Sequence, residues 1–160
     1  MNASASLPGN APNTVAPDEH PWIRALGYGG LIPFVGLAAL LWLVEPGLQA
    51  FVAIGLTAYA ALIASFLGGI HWGHAWAQAS LGRELPRVHL GWGVTPSLLA
   101  WPGLLMPAYA GLVWLGALLV ACYAVDRKLY PAAGLKPWLR LRFRLTAVAA
   151  LSCFVGAGAV

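Results

Sequence analysis

The chain has 160 residues, of which 60% are hydrophobic and 9% charged, against averages of roughly 45–50% and about 25% for soluble domains. Nine Lys and Arg and five Asp and Glu cannot cover a globule of 16.8 kDa, and a mean hydropathy of +0.74 makes lipid the solvent for most of the chain, which excludes a water-soluble domain. The net charge of +4 does not point to nucleic acid, because the cations sit beside long apolar runs and form no solvated basic domain; they are read as signals of membrane topology.

Residues 1–21, MNASASLPGNAPNTVAPDEHP, hold four prolines and few large apolar side chains. They are expected to form a disordered tail. The tail has neither the basic start nor the apolar run of a secretory signal, so the first membrane helix is expected to act as the targeting signal. Residues 22–160 are expected to form the membrane domain.

A spanning helix needs about 20 apolar residues to cross about 30 Å of hydrocarbon. Stretches free of charge run from Ala25 to Val44, Pro46 to Gly82, Val88 to Val125 and Leu145 to Val160. The third divides at the turn-forming segment Trp101 to Pro107. The last is short, so its helix is expected to begin near Pro137 and let Arg140, Arg142 and Arg144 reach the interface. The second is either one long helix or two short ones folded at Gly68-Gly69. Charge decides: with one helix there, all nine positive residues fall on one side, and splitting it would strand most of them on the other. The expectation is an all-α, five-helix transmembrane bundle, with helices near 25–44, 48–76, 88–103, 107–125 and 139–159. Its N-terminus lies inside and its C-terminus outside.

Small residues let membrane helices approach. On the second predicted helix Ala60, Ala64 and Gly68 form one ribbon, and Ser65, Gly69 and Gly73 an adjacent one. In the third, Thr95-Pro96-Ser97 predicts a kink, since Pro96 frees the Trp92 carbonyl and the two hydroxyls can satisfy the freed backbone. Trp22, Trp42, Trp101 and Trp138 fall near helix ends, as interfacial anchors do.

Polarity concentrates in SFLGGIHWGH, Ser65 to His74. His71 and His74 share a helix face, Gln78 lies a turn further on, and His89 opens the next helix on the same side of the membrane. These imidazoles form a candidate polar site for a transition metal, a haem or a proton. The alternative is that they are interfacial histidines bonded to backbone or headgroups. No carboxylate is expected within the spans; Glu84 and Asp126 are placed in loops. Cys122 and Cys153 are assigned different depths and read as packed thiols rather than a disulfide. No phosphate loop, nucleophile elbow, CxxC pair or carboxylate pair is present, so the sequence offers no visible catalytic apparatus. The basic run containing Arg127, Lys128, Lys136, Arg140, Arg142 and Arg144 serves topology or holds anionic headgroups.

The strings LIPF (31–34), SFLGGIHWG (65–73), GVTPSLLAW (93–101), DRKLY (126–130) and RLTAVAALS (144–152) resemble one pattern. It belongs to a family of small multi-span inner-membrane proteins of bacteria with a mitochondrial branch, the family of transmembrane protein sixty-nine, built on a domain of unknown function. The resemblance implies a helical membrane fold over nearly all the chain after the tail, and supplies no activity or ligand. His71 lies within its strings, whereas His74 and His89 lie just outside them.

Three functions follow. The leading one is a non-catalytic component or assembly partner of a bacterial inner-membrane complex, with the lipid bilayer, a membrane protein or a second copy of the chain as partner and no nucleic acid. The others are a haem-, metal- or quinone-linked redox protein using His71, and a small-molecule or proton carrier. No cofactor is evident from the residues.

Overall fold

A computed structural model describes residues 20–160, so the tail lies almost wholly outside the described residues. The described chain is helical: α1 (Pro21–Gly29), α2 (Ile32–Leu43), α3 (Pro46–Ser80), α4 (Arg87–Leu105), α5 (Ala108–Leu129) and α6 (Leu139–Ala157), with a 3-10 turn at Lys136–Trp138. Three segments, Pro21–Leu43, Pro46–Ser80 and Ala108–Leu129, are long and apolar enough to cross a membrane by length and composition. Both α4 and α6 have 19 residues, about 28 Å at 1.5 Å per residue. Two prolines lie within α4, and α6 opens with Arg140, Arg142 and Arg144.

The second charge-free stretch is one helix: α3 runs unbroken through Gly68 and Gly69 for 35 residues, about 52 Å, more than the hydrocarbon core alone requires. It stands at the centre, packing most extensively on α4 and also on α2, α5 and α6, while α5 packs mainly on α6. Two boundaries correct the sequence reading. The expected first helix is two, because Pro33 lies in the first turn of α2, where a fixed φ starts a helix readily, and the chain turns at Gly30-Leu31 before it. The turn expected over Trp101 to Pro107 narrows to Met106-Pro107. Pro102 stays inside α4, Trp114 Nε1 donates to the Leu99 carbonyl at 2.6 Å, and a Cβ at Gly111 would overlap the Gly103 carbonyl oxygen. The helical hairpin therefore closes tightly around those glycines.

Each long helix buries one stripe at three- and four-residue spacing: Leu56, Ala60, Ala64, Leu67, His71 and Ala75 on α3; His89, Gly93, Pro96 and Ala100 on α4; Leu115, Leu119, Cys122 and Asp126 on α5; Arg142, Thr146, Ala149 and Cys153 on α6. This is the spacing of a helical face packed on neighbours. At one end of the bundle all four stripes turn polar.

Of the two small-residue ribbons, one packs. Ala60, Ala64 and Gly68 are buried, and a Cβ at Gly68 would overlap the Gly93 carbonyl oxygen. The second is a correction: no atom lies within 4 Å of a Cβ built on Gly69 or Gly73, and the Ser65 hydroxyl donates to Ala61 O of its own helix at 3.0 Å. That ribbon faces outward. In α4, Thr95 donates to the Gly91 carbonyl at 2.9 Å, not to the Trp92 carbonyl that Pro96 frees. Trp22, Trp42 and Trp101 are exposed, and Cys122 and Cys153 are buried free thiols.

A buried histidine, aspartate and arginine network

His71 is 1% exposed and lies between two partners. Its Nδ1 meets His89 Nδ1 at 2.9 Å, and its Nε2 meets Asp126 Oδ1 at 2.9 Å. The other carboxylate oxygen of Asp126 accepts from Arg142 Nε at 2.9 Å and Nη2 at 2.6 Å. Arg142 Nη1 donates to the Thr146 hydroxyl at 3.2 Å. Tyr130 packs its ring 5.6 Å from that of His71, and the His74 ring lies 4.8 Å from that of His89. One connected chain of polar groups thus joins α3, α4, α5 and α6 where an unpaired polar atom would be costly.

Local structure explains the convergence. Gly68 and Gly93 allow the backbones of α3 and α4 to touch. One turn beyond Gly68, and one turn before Gly93, the two helices place His71 and His89 opposite each other. Trp72 Nε1 donates to the Leu90 carbonyl at 3.0 Å and pins the same crossing. Asp126 continues the buried stripe of α5 one turn after Cys122, and Arg142 begins that of α6.

The chemistry of the partners fixes the protons. A carboxylate paired with Arg142 only accepts, so His71 Nε2 carries the hydrogen that faces Asp126. In neutral His71 the Nδ1 is then a lone pair, and His89 Nδ1 must be the donor. Neutral His89 is consequently basic at its own Nε2. A proton arriving there lets the Nδ1 hydrogen of His89 pass to His71, which becomes an imidazolium held against the Asp126 carboxylate. Tyr130 does not take part as an anion: burial first, and the nearby Asp126 second, push its hydroxyl up to about 12.

The same geometry bears on metals. Both ring nitrogens of His71 are engaged, so a metal or haem iron at His71 would have to displace His89 or Asp126. Among the described residues no group of three or more His, Cys, Asp and Glu is placed to hold a metal ion.

The structure therefore joins three of the four nominated residues, His71, His74 and His89. Gln78 is not among them; its Oε1 accepts from Arg83 at 2.9 Å on the exposed surface. Asp126, placed in a loop by the sequence reading, is 2% exposed and helical. Arg142, assigned to topology, is buried against it. Asp126 escapes the sequence reading because a charge ends the span there, and Arg142 because a cation near a helix end is read as reaching the interface; Tyr130 and Thr146 carry no signal of their own. The signal that locates the two charges is the stripe register of α5 and α6, which carries straight onto Asp126 and Arg142.

A helical membrane protein with a four-helix ionic network buried at one end of its bundle is the class that fold and site define. The chain belongs to the family described as a protein of unknown function, DUF3429, whose model matches residues 20–158. It is similar to transmembrane protein 69 of Xenopus tropicalis, with 44% identity over 80 residues, which is 50% of this chain and 31% of that protein. The match thus spans less than a third of that relative's length. No solved structure matches.

Proposed function

We propose that the chain is a multi-pass protein of the bacterial inner membrane and that it works as a proton carrier, reversibly protonated at His89 and His71 against the Asp126 carboxylate. The observation that carries this reading is the almost complete burial of His71 between His89 and Asp126. Ionisable groups at membrane depth are expensive, and where they occur they mark proton and substrate pathways by default. The titratable and charged groups around His71 are His74, His89, Asp126, Tyr130 and Arg142. Since Asp126 and Arg142 offset each other, one added proton sets the charge of the whole cluster. The reading places five spans with the N-terminus and the relay at the cytoplasmic side. It is supported by the partition of all nine Lys and Arg onto one face; a reporter fused after Val160 is expected to be active only outside, and activity inside contradicts the topology.

The test is proton movement across proteoliposomes holding an imposed pH gradient. The wild-type chain is expected to dissipate the gradient faster than empty vesicles, and His71→Asn to abolish the difference while leaving the protein folded in detergent. Equal rates for wild type, His71→Asn and empty vesicles overturn the reading.

A second reading, the assembly partner of a membrane complex, is supported by the outward Ser65, Gly69 and Gly73 ribbon, which leaves a smooth helix face for close approach. It is tested by native mass spectrometry of the complex extracted in mild detergent: a partner lost from Gly69→Leu favours it, and a monomer free of partners contradicts it.

A further inference from the structure

A long groove lies beside the relay, bounded by α1, α3 and α6. Its larger part, about 420 Å³, is walled by Ile23 and Gly27 of α1, Phe66 and Ile70 of α3, and Trp138 and Leu145 at the other side. A smaller part, about 170 Å³, shares Gly27, Phe66, Leu67, Arg142 and Leu145 with the first and reaches Phe34 and Ala149. The two adjoin, with five lining residues in common. From Trp138 to Ala149 the groove follows α6 for about 16 Å at 1.5 Å per residue. That is about half of a 30 Å hydrocarbon core, the depth of a single leaflet. The walls are almost wholly apolar, and Phe66, 65% exposed, stands at the open side.

Charge distinguishes one end. The segments that frame it hold Arg24, Arg127, Lys128, Lys136, Arg140, Arg142 and Arg144 between residues 20–31 and 127–149, with no acid among them. Arg24 and Lys136 are exposed and directly follow the lining residues Ile23 and Leu135, and Arg144 Nη1 reaches the Tyr28 hydroxyl at 3.5 Å, tying α1 to α6. Arg142 is committed to Asp126 within the groove floor.

We infer that this groove is a binding site for one anionic phospholipid, with an acyl chain lying between α1, α3 and α6 and the phosphate held at the mouth by Lys136 and Arg24. A leaflet-deep apolar slot fits a chain, and exposed cations at its mouth select the negative headgroup. A zwitterionic lipid would satisfy the slot but carry its own ammonium among the cations. The site requires no step of the proton relay, so either proposal can fail without the other.

The test is native mass spectrometry and thermal melting of the full chain, delipidated in mild detergent and given phosphatidylglycerol or phosphatidylcholine of identical chains. Phosphatidylglycerol is expected to bind one per protein and raise the melting temperature more than phosphatidylcholine does. Lys136→Gln with Arg24→Gln is expected to weaken it about twenty-five-fold, taking roughly fivefold for each cation beside an anionic headgroup. Gly27→Phe fills the slot, where a Cβ already sits 3.4 Å from Leu145, and is expected to abolish binding of either lipid in a protein that melts like the lipid-free parent. Equal binding of the two lipids by the wild type overturns the inference, as does retention of phosphatidylglycerol by the double variant. If Gly27→Phe does not fold, the double variant decides alone.

Discussion

Asp126→Asn is expected to be among the most damaging single changes in the chain, lowering stability by about 3–5 kcal/mol, the range for stripping one partner from a buried ion pair. The carboxylate receives Arg142 on one oxygen and His71 on the other. An amide leaves the guanidinium uncompensated among α3, α5 and α6, and it accepts through one oxygen only, setting its NH2 donor against either the Arg142 or the His71 donor. Arg142→Met alone should be nearly as costly, because it leaves the carboxylate unpaired. The pair changed together should recover much of the loss, since neither charge is then left buried without its partner. Steric-trapping or detergent-denaturation measurements on the four proteins give the coupling directly. Additive losses would mean that Asp126 and Arg142 do not act as a pair.

Gly68→Leu is expected to separate α3 from α4, because even a Cβ there overlaps the carbonyl oxygen of Gly93. Backbone cannot withdraw as a flexible side chain can, so the cost should reach the upper part of the roughly 1–3 kcal/mol seen for overpacking. The same change parts His71 from His89, whose ring nitrogens stand 2.9 Å apart across that crossing. Proton movement should therefore fall along with stability. Gly69→Leu is the internal control: its Cβ meets nothing within 4 Å, and a change confined to a surface facing outward should stay within about 0.5 kcal/mol. Paired thermal melts check the contrast. Equal melting of the two variants would contradict the packing of α3 on α4.

Much of this architecture was legible because lipid imposes simple rules. The unbroken course of α3 through Gly68-Gly69 follows from the charge partition alone, even though a Gly-Gly pair suggests a bend. The break at Gly30-Leu31 was not legible from hydropathy, since both halves are apolar; Pro33 was its only local mark. At the site, His71, His74 and His89 were visible as polar residues near one end of two neighbouring helices. Asp126 is hidden because a charge is read as the end of a span, and Arg142 because a cation near a helix end is read as reaching the interface. The first rule holds for Arg83, Arg87 and Arg127, which are exposed. Both rules fail for two charges that neutralise each other one turn inside the helix ends. Following the spacing Leu115, Leu119, Cys122 inward would have put Asp126 on the core face, and stepping back from Cys153, Ala149 and Thr146 would have done the same for Arg142. Which partners they meet depends on how four helices cross, which no single helix pattern records.

The claim on which the account turns is that His71, held by the Asp126 carboxylate through Nε2, exchanges a proton with His89 through Nδ1. It is tested most directly by solid-state ¹⁵N NMR of histidine-labelled protein in lipid bilayers, followed from high to low pH. With His71→Asn as the assignment reference, the account predicts a neutral His71 that carries its hydrogen on Nε2 at high pH, and one proton gained by the coupled His71 and His89 pair as pH falls. A His71 that carries its hydrogen on Nδ1 at high pH, or a pair that gains no proton while the protein stays folded, would contradict it.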